Sequence, residues 1–148
     1  MRNSSPGPDG KPEALFRQLD FVYTPSRDVA ADAGFFSNVL GGRLVFAIDD
    51  GGTRVAMIEL TEPSPRILLT DHLEGEQPIL VYRVDDLDQT LTTVEKRGWK
   101  RGRMLEIPHG PCCSLVAPGG QRIAIYQLTR PEVGRHFEGR LDFPVAAG

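Results

Sequence analysis

The stretch QLDFVYTPSRD, residues 18–28, has a counterpart in PILVYRVDDLD, residues 78–88. Each stretch alternates apolar residues in the manner of a β-strand and then reaches an aspartate that can cap a helix. The two aspartates, Asp28 and Asp86, are 58 residues apart. The chain is therefore expected to repeat one structural unit that begins with a strand followed by a helix.

Both openings are followed by the same sequence of further elements. Apolar residues recur at helical spacing after each aspartate, and Gly41 and Gly98 mark the two helix ends. Three more strands are predicted after each helix. They are RLVFAI, TRVAMIEL and RILLT in the first unit, and RGRMLEI, CSLVA and QRIAIYQ in the second.

This order predicts an α+β fold of two βαβββ units, covering about residues 15–74 and 77–130, in a single domain. Residues 1–14, which are rich in Ser, Pro and Gly, are predicted to be a disordered tail. Residues 131–148 show no periodicity but contain several apolar side chains. They are either a loose tail or a segment that docks on the body or on a second subunit.

Composition excludes several classes of protein. Among 148 residues, 40% are hydrophobic and 25% charged, which is typical of a globular domain, and the formal net charge is −3. No basic run suggests nucleic acid, and no apolar stretch suggests a membrane or a secretory signal. A cytoplasmic protein is expected. The adjacent Cys112 and Cys113 are expected to remain reduced thiols, because neighbouring strand residues point to opposite faces.

The two units, together with the final hairpin SLVAPGGQRIAIYQ (residues 114–127), resemble the glyoxalase/bleomycin-resistance/dioxygenase superfamily, which has the vicinal oxygen chelate fold. The resemblance implies that the sheet curls into a barrel-like cavity with the helices outside. It also implies that the protein forms a homodimer. Metal-using members place His, Glu or Gln ligands at four inward-facing strand positions, so those positions decide whether a metal centre is expected.

Carried over one by one, the four ligand positions fall on apolar residues: Phe21, Leu68, Ile79 and Ala124. None of these side chains can bind a divalent cation. A register slip that turned Asp20 inward would turn the apolar alternates outward, which burial disfavours. We therefore expect neither a metal nor another cofactor.

The segment that follows the sixth strand offers no replacement metal site. His109, Cys112 and Cys113 form an H-x-x-C-C pattern, whose spacing does not suit tetrahedral coordination. One cysteine could be a nucleophile if a neighbouring group lowered its pKa, but nothing in the adjacent sequence guarantees that. The pattern is instead interpreted as a turn followed by a strand.

Residues that share the inward direction of the four ligand positions are predicted to contact a ligand. They are mostly apolar or aromatic, with a few hydroxyl groups, and this composition suits a planar or hydrophobic molecule. The alternative is that they fill the barrel and leave no pocket. The predicted ligand-binding set is Phe21, Tyr23, Leu68, Thr70, Ile79, Val81, Cys113, Ala124 and Tyr126.

Three residues near the cavity mouth could perform acid–base chemistry: Glu59, Glu106 and His109. The leading hypothesis is a metal-free protein of the bleomycin-resistance type that sequesters or carries a small hydrophobic or aromatic ligand. The alternative is a glyoxalase-like lyase or isomerase that uses these three residues. A third possibility is a subunit scaffold with a fully packed cavity.

Overall fold

The computed structural model describes residues 14–145, so the predicted N-terminal tail lies almost wholly outside the described residues. None of the helices in this part of the chain is long and apolar enough to cross a membrane. The strands are β1 (Gln18–Pro25), β2 (Arg43–Asp50), β3 (Thr53–Glu59), β4 (Arg66–Thr70), β5 (Ile79–Val84), β6 (Met104–Ile107), β7 (Gly110–Val116) and β8 (Arg122–Gln127), and the helices are α1 (Val29–Gly34), α2 (Leu87–Lys96) and α3 (Val133–Phe137).

All eight strands form one mixed sheet in the order β2-β3-β4-β1-β5-β8-β7-β6. In the first unit β1 pairs in parallel with β4, and in the second unit β5 pairs in parallel with β8. The antiparallel pairing of β1 with β5 joins the units. The predicted α+β fold of two βαβββ units is confirmed, and the sheet is open, with β2 and β6 at its edges.

The helices α1 and α2 begin directly after the two aspartates that were predicted to cap them. An Asp28 carboxylate oxygen accepts the Ala31 backbone N–H at 3.0 Å, and Asp86 accepts that of Gln89 at the same distance. Each bond satisfies one of the free N–H groups of a helix start. The first helix continues beyond α1 as a wider π-helical turn, Phe35–Val39.

Both α1 and α2 pack on one face of the sheet, which we call the outer face. Towards the sheet α1 presents Val29 and Ala33, and α2 presents Leu87 and Leu91, all of them buried. The opposite face, which we call the inner face, carries a separate core. Its buried members are Phe21, Val45, Phe46, Ile48, Met57, Val81, Cys112, Ala124 and Tyr126.

The chain after β8 packs along the first unit. The Ala47 N–H donates to the Arg140 carbonyl at 2.8 Å, and the Asp142 N–H donates to the Ala47 carbonyl at 2.7 Å. Residues 139–142 therefore cover the edge formed by β2. Phe143 is buried in the core under α1, whereas Phe137 lies on the inner face with its ring centre 5.8 Å from that of Phe46.

Candidate ligand-binding site

The inner face is curved, as the position of His109 shows. His109 lies in the turn between β6 and β7, and three interstrand spacings, about 14 Å on a flat sheet, separate β7 from β1. Yet the His109 ring centre is only 5.2 Å from that of Phe21 on β1. The second half of the sheet therefore bends over the first strand.

The turn that carries His109 is anchored to the segment after β8. The Thr129 and Arg130 N–H groups both donate to the His109 carbonyl at 3.0 Å, and the Arg130 side chain donates to the Ile107 and Pro108 carbonyls. At Gly110 φ is +152°, and an added Cβ would lie 2.0 Å from the Gln127 carbonyl oxygen. Only glycine lets the strands approach this closely.

Eight of the nine predicted ligand-contact residues lie on the inner face, and Cys113 does not. Cys113 is fully buried on the outer face, in the core under α2, whereas Cys112 lies opposite Tyr126 in the inner-face core. Cys113 therefore points away from the face that carries the other eight residues. The residues on the inner face are Phe21, Tyr23, Leu68, Thr70, Ile79, Val81, Ala124 and Tyr126.

Asp20 turns inward through a local irregularity. The pairing of β1 with β5 shifts register between Leu19 and Phe21, so Asp20 is an extra residue of the bulge type. Its carboxylate, 9% exposed, accepts hydrogen bonds from the Tyr126 hydroxyl and, at 2.5 Å, from the Gln18 side chain. The Arg83 guanidinium lies 3.4 Å away. A bulge thus brings Asp20 inward without displacing the apolar residues of the strand.

Burial raises the pKa of Tyr126, and the Asp20 carboxylate that accepts its hydrogen bond raises it further. The phenol is therefore protonated and donates to the carboxylate. Since Asp20 is also held by Gln18 and Arg83, this cluster is a satisfied polar network at the junction of the two units. It stabilises the centre of the inner face, and both Asp20 carboxylate oxygens are already engaged by protein groups.

A second polar cluster lies at the other end of β1. His72, in the loop after β4, places Nε2 2.7 Å from the Tyr23 hydroxyl and Nδ1 2.6 Å from the Thr70 hydroxyl. Thr70 is fully buried, Tyr23 is half-buried and His72 is exposed. This cluster therefore reaches from the core of the sheet to solvent.

Next to this cluster is an apolar surface that is only half-buried. Tyr23 on β1 lies opposite Leu68 on β4 and Ile79 on β5, and Val55 lies opposite Thr70. All four apolar or aromatic members pack against the inner-face core, but none is fully buried. We call Tyr23, Val55, Leu68 and Ile79 the Tyr23 platform.

Arginines hold both predicted acidic catalysts. Glu59 accepts from Arg43 at 3.1 Å and from Arg66 at 3.0 Å, and the hydrogen bond from Arg43 is the main cause that lowers the Glu59 pKa. Glu106 accepts from Arg130 at 2.5 Å and is largely exposed. The lowered pKa makes Glu59 a weaker base, and the Glu106 carboxylate is occupied by Arg130, so these contacts do not favour general-base roles.

His109 is the third predicted catalyst, and its ring lies between two aromatic rings. Its centre is 5.2 Å from that of Phe21 and 6.1 Å from that of Tyr126. Burial lowers the pKa of His109, and the positive charges of Arg130 and Arg66 add to this, although the Asp20 carboxylate opposes it. The imidazole is therefore neutral at pH 7 and can accept a proton or a hydrogen bond.

The donor set does not fit the superfamily's metal centre. Phe21, Leu68, Ile79 and Ala124, the residues expected at the four ligand positions, all lie in or against the inner-face core. None has a lone pair for a cation. Within residues 14–145, no three His, Cys, Asp or Glu side chains are grouped so that they could hold an ion.

A cavity of about 370 Å³ lies elsewhere, between β2 and the C-terminal segment. Its lining is formed by Leu44, Leu141, Asp142, Phe143, Pro144 and Val145. Two of these residues, Phe143 and Leu44, belong to the outer-face core, so this cavity is distinct from the inner-face site.

Solved structures resemble this chain although sequences do not: a comparison with protein families and curated proteins finds no match. The methylmalonyl-CoA epimerase of Mycobacterium tuberculosis superposes with a TM-score of 0.65 at 19% identity, over 79% of this chain and 91% of that chain. A hypothetical protein from Bacillus halodurans gives 0.65 at 15%, over 76% and 95%. A catechol 2,3-dioxygenase gives 0.60 at 17%, over 77% of this chain and 40% of that one.

The chain has the vicinal oxygen chelate fold. At these identities the likeness concerns the fold alone, and the fold is shared by proteins with different activities. Function in a protein with this fold must therefore be inferred from the residues of its site.

Two residues of this site were missed by the analysis of the sequence: Asp20 and His72. Asp20 faces inward only because of the bulge, which the alternating pattern of β1 does not reveal. His72 contacts Tyr23, which is 49 residues away in sequence, and no local signal indicates that contact.

Proposed function

We propose that this protein binds a small, mainly apolar or aromatic molecule on the Tyr23 platform and that it needs no metal to do so. The half-buried state of the platform carries the proposal. A surface of aromatic and aliphatic side chains that continues into the core, yet remains open to solvent, suits a hydrophobic ligand. The apolar residues at the four ligand positions support the metal-free part of the proposal.

Ligand binding is favoured over catalysis because the two acidic candidates are already paired. Glu59 is held by Arg43 and Arg66, and Glu106 is held by Arg130. The neutral ring of His109 keeps one alternative in view, a lyase or isomerase with a single histidine base. That alternative predicts a chemical change in the bound molecule, whereas a carrier returns it unchanged.

The experiment is a fluorescence titration with N-phenylnaphthylamine, an apolar aromatic probe, in the presence and absence of EDTA. We expect saturable binding that EDTA does not change. Leu68→Ala removes part of the platform and should weaken binding about tenfold, because roughly 1.4 kcal/mol of apolar contact is lost.

Leu44→Ala is the matched control, since Leu44 is also half-buried but lines the cavity near the C-terminal segment. It should leave the affinity unchanged. Binding that is lost in Leu44→Ala and retained in Leu68→Ala would assign the probe to the other cavity. Loss of binding on adding EDTA would contradict metal independence.

A further inference from the structure

The hydrogen bonds around His72 favour one tautomer. The Thr70 hydroxyl oxygen already accepts the His72 backbone N–H at 3.4 Å. Thr70 is fully buried, and its hydroxyl lies 2.6 Å from His72 Nδ1, so donation to Nδ1 is the arrangement in which the hydroxyl both donates and accepts. Nδ1 is therefore an acceptor, and a neutral imidazole with Nδ1 unprotonated carries its proton on Nε2.

The tautomer of His72 in turn sets the role of Tyr23. In this tautomer Nε2–H donates to the Tyr23 hydroxyl oxygen, 2.7 Å away. The Tyr23 O–H proton is then left free to donate to another group. Burial raises the pKa of Tyr23, partly offset by the nearby Thr70 hydroxyl, so the phenol keeps this proton at neutral pH.

The free O–H group lies on the proposed binding surface. Tyr23 is the aromatic member of the platform, between Leu68 on one neighbouring strand and Ile79 on the other. Its ring and the His72 ring are tilted by 59° with centres 5.8 Å apart, so the imidazole flanks the hydroxyl without covering the platform. A molecule on the platform would have its polar edge beside the Tyr23 hydroxyl.

We propose that Tyr23 donates a hydrogen bond to an oxygen acceptor of the ligand, a carbonyl, carboxylate or sulfonate on an apolar or aromatic body. This inference rests on the proposed function, since it specifies the ligand class of the same surface. His72 and Thr70 act as positioning residues that turn the Tyr23 proton toward the ligand. Ligands without an oxygen acceptor bind the same platform more weakly.

The first test concerns the tautomer and needs no ligand. Proton–nitrogen spectra of the histidine side chains distinguish a protonated from an unprotonated ring nitrogen, and a His72→Gln spectrum assigns the signals of His72. We expect Nε2 protonated and Nδ1 unprotonated at neutral pH. Protonation at Nδ1 instead would overturn the proposed direction of the hydrogen bonds.

The second test compares two probes with the same aromatic skeleton. N-phenylnaphthylamine has no oxygen acceptor, whereas anilinonaphthalene sulfonate carries one. We expect the sulfonate to bind the wild-type protein about tenfold more tightly, and Tyr23→Phe to remove this preference while binding of the neutral probe persists. Tyr82→Phe is the matched control, because it removes a hydroxyl from the outer face and should leave the preference intact.

The outcomes separate the two proposals. Binding of both probes with a preference that survives in Tyr23→Phe would overturn the acceptor hypothesis and leave the proposed function standing. Failure of both probes to bind the wild-type protein saturably would overturn the proposed function, and the inference would fall with it. Binding of the neutral probe to Tyr23→Phe also shows that the variant is folded.

Discussion

At the scale of single residues, the two cysteines show how strongly a site depends on one step of strand register. Cys112 and Cys113 are both small, apolar and buried, and they point to opposite faces of β7. Because neither residue is strongly polar, the alternation of apolar and polar residues along β7 does not show which cysteine faces inward. The pairing of Cys112 with Tyr126, which the sequence does not reveal, places Cys112 on the inner face.

Because these thiols are buried, the free energy of unfolding should decrease in the alkaline pH range. Burial raises the pKa of Cys112 to about 11, and it also raises the pKa of Cys113. An unfolded thiol titrates near pH 8.5 (roughly, for model peptides). Between these values the unfolded chain releases a proton that the folded chain retains, so the free energy of unfolding falls as pH rises.

For Cys112 we predict a loss of about 2 to 3 kcal/mol between roughly pH 8.5 and pH 11, with the full contribution present below that range. Urea unfolding measured across these pH values should therefore show a shallower decline in Cys112→Ala than in the wild type. Ser114→Ala is the control, because it changes the same strand and leaves both thiols in place. Equal slopes in all three proteins would contradict the prediction.

Asp20 marks a limit of sequence analysis at this scale. The pattern of β1 correctly placed Phe21 and Tyr23 on the inner face, because apolar alternation reports the face that is buried. The alternating pattern assumes that a change of register shifts every residue of the strand. The bulge changes register at one position, so Asp20 and Phe21 are both buried on β1.

At the scale of elements, the helices were predictable and the C-terminal segment was not. The capping aspartates and the apolar spacing are local signals, and both helix starts agree with them. Leu40, which continues the apolar spacing of the first helix, follows the π-helical turn and is 49% exposed. The pairing of residues 139–142 with β2 spans more than 90 residues and leaves no local pattern.

The side chain of Phe143 anchors the C-terminal segment in the outer-face core. Its side chain is 5% exposed, and the Arg54 guanidinium lies over its ring at 4.3 Å. Phe143→Ala should lower the free energy of unfolding by about 3 to 5 kcal/mol, because it leaves a cavity in the core under α1 and removes the cation–π contact. Chemical denaturation measures this directly.

Leu141→Ala provides the comparison within the same segment. Leu141 is 63% exposed although its backbone forms a bridge with Ala47, so the substitution should change stability by no more than about 0.5 kcal/mol. A large effect of Leu141→Ala, or a negligible effect of Phe143→Ala, would mean that the segment is held in another way.

At the scale of the whole molecule, the repeat in the sequence predicted the fold but not how the units share their core. The two units join by antiparallel pairing of β1 with β5. The inner-face core draws residues from both, for example Phe46 and Met57 from the first unit and Val81 and Tyr126 from the second. Since neither unit can complete this core alone, the two should unfold together.

The single tryptophan makes this coupling measurable. Trp99 follows α2 in the second unit, so its fluorescence reports that unit, whereas circular dichroism reports both. Leu69→Ala empties part of the core under α1, and Leu91→Ala empties the matching part under α2. Each should cost about 2 to 5 kcal/mol, and in both variants the two signals should follow one transition. If Leu69→Ala shifted the dichroism curve and left the Trp99 curve in place, the units would be independent, and the inner face would have to be treated as an interface between two domains.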